Sequence, residues 1–293
     1  MTGRAASAVV LVVVGLACQE VGASIAYLLF PEMGPLGMVM LRLVFSAVIL
    51  LAIARPRLRG HDRAAWRAVV RFGAVLALMN ALFYVALERL PLGVTVTIEV
   101  LGPLTLSLVA SRRTSAWPWS LLWAALALAG VLALGGGGWD RLDLLGVLFA
   151  LGAAASWAFY ILSSARVGAA FPSLEGLALA MTVGALLSLP FGIVDAGTAL
   201  LRIDLVALGA AVAVLSSTIP YALELIALRR LPASAFAVLM SLAPATAALA
   251  GLVLLGQRLA WLEVVGIALV IAASIGAVRA SGRRAPEVTE PVG

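Results

Sequence analysis

Lysine is absent from the 293 residues: all 20 basic side chains are arginine. Without lysine there is no Gly-x-x-x-x-Gly-Lys phosphate loop, and ATP hydrolysis by this polypeptide has no support. Cysteine occurs once, at Cys18, which rules out a disulfide framework or a thiolate metal site and reads as a small packing residue. Histidine also occurs once, as His61 in a loop, so no zinc or haem site can be argued. No cofactor or metal is expected. Charge is scarce at 12% of residues, against 63% hydrophobic and a mean hydropathy of +1.13. So little polar surface cannot cover a soluble globule, and the chain needs lipid around it.

What is present in abundance is long apolar runs. A membrane-crossing helix needs about 20 mostly apolar residues, and such stretches fall at 8–29, 36–54, 68–87, 92–110, 117–135, 144–165, 173–193, 204–228, 233–255 and 260–279. These predict an all-α integral membrane protein of ten spans. Short loops marked by Pro31, Pro35, Pro56, Pro91, Gly135–Gly138, Pro172 and Pro232 leave no room for an inserted soluble domain. The first run is longer than a signal-peptide core and carries Gln19 and Glu20 near its middle, so it reads as a retained helix. The tail 281–293 is expected to be disordered and cytoplasmic.

The arginines set the orientation, because loops on the cytoplasmic side collect positive charge. One set of alternating loops holds fifteen: Arg4, Arg55, Arg57, Arg59, Arg63, Arg67, Arg71, Arg112, Arg113, Arg166, Arg229, Arg230, Arg279, Arg283 and Arg284. The other holds four, Arg89, Arg141, Arg202 and Arg258. Both termini are therefore expected in the cytoplasm. The same asymmetry explains the net charge of +6 without a nucleic-acid partner.

The chain also repeats itself. Ala86-Leu87-Glu88-Arg89-Leu90-Pro91 returns as Ala227-Leu228-Arg229-Arg230-Leu231-Pro232, an offset of 141, and the same register brings Leu101 onto Leu242 and Pro103 onto Pro244. Five spans per copy, an odd number, means that the second copy enters the membrane from the opposite side. This predicts two inverted five-helix repeats, 1–138 and 139–280, an arrangement that opens alternately to either side of a solute site near the midplane. Helix 5 carries Ala125, Ala129 and Ala133, and helix 10 carries Ala268, Ala272 and Gly276. Small residues four apart let helix backbones approach in lipid, and close contact is expected there, within one protomer or across a homodimer.

Polar residues lie inside the spans. At 1.5 Å rise per residue, Arg42, Asn80 and Glu99 fall roughly 10 Å from the outer end of their helices, with Gln19 and Glu20 a little deeper. Trp157, Tyr160, Tyr221 and Glu224 lie nearer the inner end. A charge at such depth costs about 2.5–3.5 kcal/mol unless it faces a wet cavity or an opposite charge. Arg42 and Glu99, at equal depth, are natural partners, in a solute site or in a structural ion pair. Gln19 and Asn80 could serve as interhelical hydrogen-bond glue instead, and the aromatics as belt or core residues.

These residues resemble the drug/metabolite transporter superfamily of EamA type and, more closely, its threonine/homoserine exporter branch. The similarity rests on Met79-Asn80 with Phe83-Tyr84, Pro91-Leu92-Gly93, Glu99 with Gly102-Pro103-Leu104, Trp157-Ala158 with Tyr160-Ile161-Leu162-Ser163, Pro220-Tyr221 with Leu223-Glu224, and Leu239-Met240-Ser241 with Pro244. The resemblance implies a multi-pass inner-membrane secondary transporter, not an enzyme, that exports small amino acids in exchange for protons. Its site residues would be Gln19, Arg42, Asn80, Tyr84, Glu99, Trp157, Tyr160 and Tyr221, with Glu99, Glu20 and Glu224 able to couple protons. Two positions depart from the family pattern: Ala243 precedes Pro244 where relatives commonly have glutamate, and Gln257 follows Gly256 where glutamate is frequent. An exporter of another metabolite or drug class is the alternative within transport. A membrane scaffold or lipid-modifying enzyme is the alternative outside it, and would place its polar groups dispensably or near one interface.

Overall fold

The computed structural model describes residues 3–111, 117–134, 143–172, 174–228, 230 and 233–282, and among these every regular element is a helix. Uninterrupted helices are α1 (Gly3–Met33), α2 (Pro35–Ala54), α3 (Arg63–Arg89), α6 (Trp117–Leu134), α7 (Leu144–Ala170), α8 (Glu175–Ala196) and α13 (Trp261–Gly282). Three apolar segments are broken instead. α4 (Leu92–Glu99) gives way to α5 (Leu101–Ser111), and α11 (Ala233–Met240) to α12 (Ala243–Leu255). α9 (Ile203–Ala213) passes through a π-helical turn at Val214–Thr218 into α10 (Ile219–Leu228). Among the described residues seven helices are long and apolar enough to cross a membrane, and Leu92–Leu106, Pro118–Leu134 and Ile203–Thr218 are shorter apolar helices. The chain is a multi-pass membrane protein.

Each break has a local chemical cause. Proline has no N–H, so Pro103, Pro220 and Pro244 cannot donate to the carbonyls four residues back, those of Glu99, Ser216 and Met240. Each proline sits in the first turn of the helix that follows, where its missing donor costs nothing. The sequence reading took 92–110, 204–228 and 233–255 as continuous spans; the structure divides all three at these freed carbonyls.

Side chains from distant helices finish the helix ends. Asp195 Oδ2, at the end of α8, accepts from the backbone N–H groups of Leu36 and Gly37 at 2.8 and 3.1 Å, capping α2. This closes the sharp α1–α2 turn at Gly34, whose φ of 67° favours glycine. Gln257 Oε1 likewise accepts from Leu92 N at 2.9 Å, capping α4. The family departure at Gln257 therefore falls on a helix cap, not in the cavity described below.

Packing is most extensive between α3 and α7, α2 and α8, α6 and α13, α3 and α8, α1 and α10, and α4 and α12. Large apolar residues such as Leu28, Ile53, Leu128, Phe191 and Leu252 stay exposed on the perimeter, as expected of a surface solvated by lipid. The expected proximity of helices 5 and 10 is realised inside one protomer, as α6 against α13, with Gly276 of the stripe residues packed on Trp123 but the backbones meeting at other positions. A Cβ at Gly130 would stand 2.8 Å from the Gly266 carbonyl oxygen, and one at Gly266 would stand 2.6 Å from that of Gly130. The stripe residues Ala125, Ala129, Ala268 and Ala272 are exposed instead, and only Gly276 of those six is buried. The four-residue spacing was met on both sides of each helix, and only the face bearing the glycines allows the backbones to touch.

The Gly135–Gly138 loop, Arg112, Arg113, Arg141, Arg229, Arg283, Arg284 and tail positions 283–293 lie outside the described residues, as do the side chains of Tyr221 and Glu224.

Candidate solute site

Arg42 on α2 is held by a network that begins with the π-helical turn. Pro220 leaves the Ser216 carbonyl without its helical donor, and Arg42 Nη2 supplies one at 3.1 Å. Arg42 Nε donates to Ser217 Oγ at 3.2 Å, and Nη1 to Tyr84 Oη at 3.4 Å. The Tyr84 ring lies beneath the guanidinium, 5.6 Å from Cζ to centroid, close enough for a cation–π attraction. Tyr84 is fully buried, with Phe30 and Phe83 against its ring. Its placement is that of a positioning residue for Arg42.

Arg42 opens onto a cavity of about 200 Å³ lined also by Gln19, Glu20, Asn80, Glu99, Trp157 and Tyr160, with Met79, Phe83, Val96, Met240 and Ala243 completing the wall. Seven of the residues singled out in the sequence thus meet in one space. They come from α1, α2, α3, α4 and α7, while Met240 and Ala243 bring the α11–α12 segment. Glu20 is 2% exposed and Glu99 half-buried. Among the described residues neither carboxylate accepts a side-chain hydrogen bond. Asn80 Nδ2 donates to Leu76 O, one turn back on its own helix, at 2.8 Å, which commits one of its two amide N–H groups within α3. Tyr160 packs against Phe72, centroids 5.0 Å apart with the rings tilted by 50°.

Chemically, the site is one fixed guanidinium, two carboxylates, two amides and three aromatic side chains around a space that lies among helices. No group of three or more metal-ligating side chains occurs among the described residues. Sequence reasoning missed Ser216 and Ser217. Their signal was available: a Ser-Ser-Thr run inside an apolar span, four residues ahead of a proline that must orphan the Ser216 carbonyl.

A helical membrane bundle with charged side chains gathered around an internal cavity is the form of a solute transporter. The EamA-like transporter family matches residues 144–279. The threonine/homoserine exporter RhtA of Escherichia coli strain K12 is 39% identical over 270 residues, 92% of this chain and 90% of that protein. The exporter of the same name from Salmonella typhimurium strain LT2 is 37% identical over 284 residues, 96% and 94% of the two chains. The chain belongs to the EamA-like transporter family. One solved crystal structure, 19% identical, shares the fold with a TM-score of 0.61 over 95% of this chain and 98% of its own.

Proposed function

We propose that the protein exports small amino acids such as threonine and homoserine across the inner membrane, in exchange for protons. The observation that carries this reading is the juxtaposition of Arg42 with Glu20 and Glu99 in one cavity. A zwitterion presents both signs of charge: its carboxylate suits the anchored guanidinium, and its ammonium suits a carboxylate across the space. Drug-sized ligands occupy pockets of about 300–1,000 Å³, so a cavity of about 200 Å³ favours a small solute over a drug. The relatives named as threonine/homoserine exporters support the same substrate class. Glu99, assisted by Glu20, takes up a proton when solute leaves and releases it when solute binds; Glu224 is the further candidate on α10.

The scheme requires ten spans, arranged as inverted repeats 1–138 and 139–280 with both termini in the cytoplasm. Its support is the helix pairing. Under a five-plus-five inversion α3 on α7 is the counterpart of α10 on α1, and the pairs α2–α8 and α6–α13 are their own counterparts. Arg89 Nη1 donates to Asp143 across the first of these at 2.8 Å, and Arg230 Nη1, 141 residues later, donates to Ser7 Oγ across the second at 3.4 Å.

Cells overexpressing the protein are expected to release threonine or homoserine faster than cells with an empty vector, and inverted vesicles to take up the amino acid when a proton gradient is imposed. Efflux no faster than the empty vector for any small amino acid would remove the substrate assignment. Uptake indifferent to the gradient would remove the proton exchange alone.

A further inference from the structure

Three arginines gather where the solute cavity is not. Arg67 and Arg71, one turn apart on α3, and Arg166 on α7 line a cleft of about 360 Å³ together with Ser163. Arg67 and Arg71 are exposed, as is Arg166. Among the described residues none of the three pairs with a carboxylate, the ion pairs there being Arg89–Asp143, Arg202–Glu32 and Arg202–Asp204. Like charges held around one cleft repel unless an anion sits between them, and guanidinium groups bind phosphate oxygens in pairs. The cleft also continues along the helices toward lipid. Val70 and Leu78 on α3 and Phe159 and Leu162 on α7 are 49%, 53%, 60% and 43% exposed, an apolar track leading from the arginines along the two helices.

We propose that this α3–α7 cleft binds the headgroup of an anionic phospholipid, with Arg67, Arg71 and Arg166 on the phosphate and the acyl chains along Val70, Leu78, Phe159 and Leu162. A free phosphate would satisfy the arginines but leave the apolar track without a role; a lipid accounts for both. The site stands independently of what is transported. It is nevertheless joined to the solute cavity, because Ser163 lies one turn beyond Tyr160, and Tyr160 lines that cavity against Phe72.

The test uses the full-length protein in detergent, titrated with phosphatidylglycerol or with phosphatidylethanolamine of the same acyl chains, bound lipid being counted by native mass spectrometry. Phosphatidylglycerol is expected to be retained preferentially, with about fivefold weaker binding for each of Arg67→Gln, Arg71→Gln and Arg166→Gln, the effect of one basic residue near an anionic lipid. A variant with all three changed to Lys is expected to keep most of the preference, and its loss of that preference would overturn the proposal if the Gln variants do not fold. Equal retention of both lipids by the wild type would overturn the proposal, as would single Gln variants that bind phosphatidylglycerol unchanged. Displacement of the lipid by millimolar inorganic phosphate alone would identify a free-anion site and also overturn it.

Discussion

Two of the three broken segments, α4–α5 and α11–α12, share a backbone plan and differ in chemistry. α4 ends at Glu99 and α11 at Met240, positions 141 residues apart in the repeat register, and the prolines that free their carbonyls, Pro103 and Pro244, are offset equally. Both residues line the solute cavity. Yet one break carries a carboxylate and the other a thioether. The same kind of break occurs twice, while the charge that distinguishes solute from water enters at one of them, joined in the cavity by Glu20 and Arg42. The π-helical turn answers with the Ser216 carbonyl and Ser217 hydroxyl that hold Arg42 in place.

The comparison is broken most directly by exchanging the two end residues. Glu99→Gln is expected to reduce proton-driven uptake into inverted vesicles to the empty-vector level with normal yield, whereas Met240→Leu keeps most of it; equal losses would mean that shape at the breaks, not charge, governs transport. Arg42→Ala comes next. It removes a charged partner for the solute, a contribution of about 1.5–3 kcal/mol, and the apparent KM is expected to rise about tenfold to a hundredfold. Ser217→Ala sharpens that result, since it touches only the anchor and is expected to produce a smaller rise.

Packing offers a third contrast. Gly130→Leu or Gly266→Leu drives a side chain into the opposing backbone and is expected to cost about 1–3 kcal/mol, read as lost folded yield in detergent. Ala129→Leu and Ala272→Leu, on exposed faces, should stay within about 0.5 kcal/mol. Equal tolerance at both pairs would contradict the α6–α13 contact. Gln257→Ala removes the α4 cap and is expected to lower stability by about 1 kcal/mol while transport persists.

The smallest effect is a pH dependence at the α3–α7 end. The Arg89 guanidinium holds the Asp143 carboxyl below the usual aspartate range, aided by the amides of Gly146 and Leu145. A depressed native pKa stabilises fully above the ordinary value of about 3.9 and is lost as pH falls through the native one. Thermal melts of the wild type and Asp143→Asn should therefore differ at neutral pH and converge in strong acid. A difference that persists in acid would assign the effect to something other than charge.

Much of this was legible in the linear chain because membrane solvation leaves few ways to write a span. Apolar length needs no contacts to be read, and buried charge in lipid is costly enough that Gln19, Glu20, Arg42, Asn80 and Glu99 stood out by position alone. The side-chain company of each residue was not legible. Depth along a helix suggested Arg42 and Glu99 as mates; rotation about the helix axis sent the guanidinium donors to Tyr84, Ser216 and Ser217. Small residues spaced by four suggested the Ala129 and Ala272 faces, but a four-residue repeat recurs on several faces of an alanine-rich helix, and the partner backbone chose the one with Gly130 and Gly266. Sequence by itself determined a multi-pass membrane protein and the position of its polar groups along their helices, because hydrophobicity and rise per residue are one-dimensional quantities. Tertiary structure decided which of those groups meet, because the azimuth of a side chain and the breaks at Glu99, Ser216 and Met240 acquire meaning only against neighbouring helices.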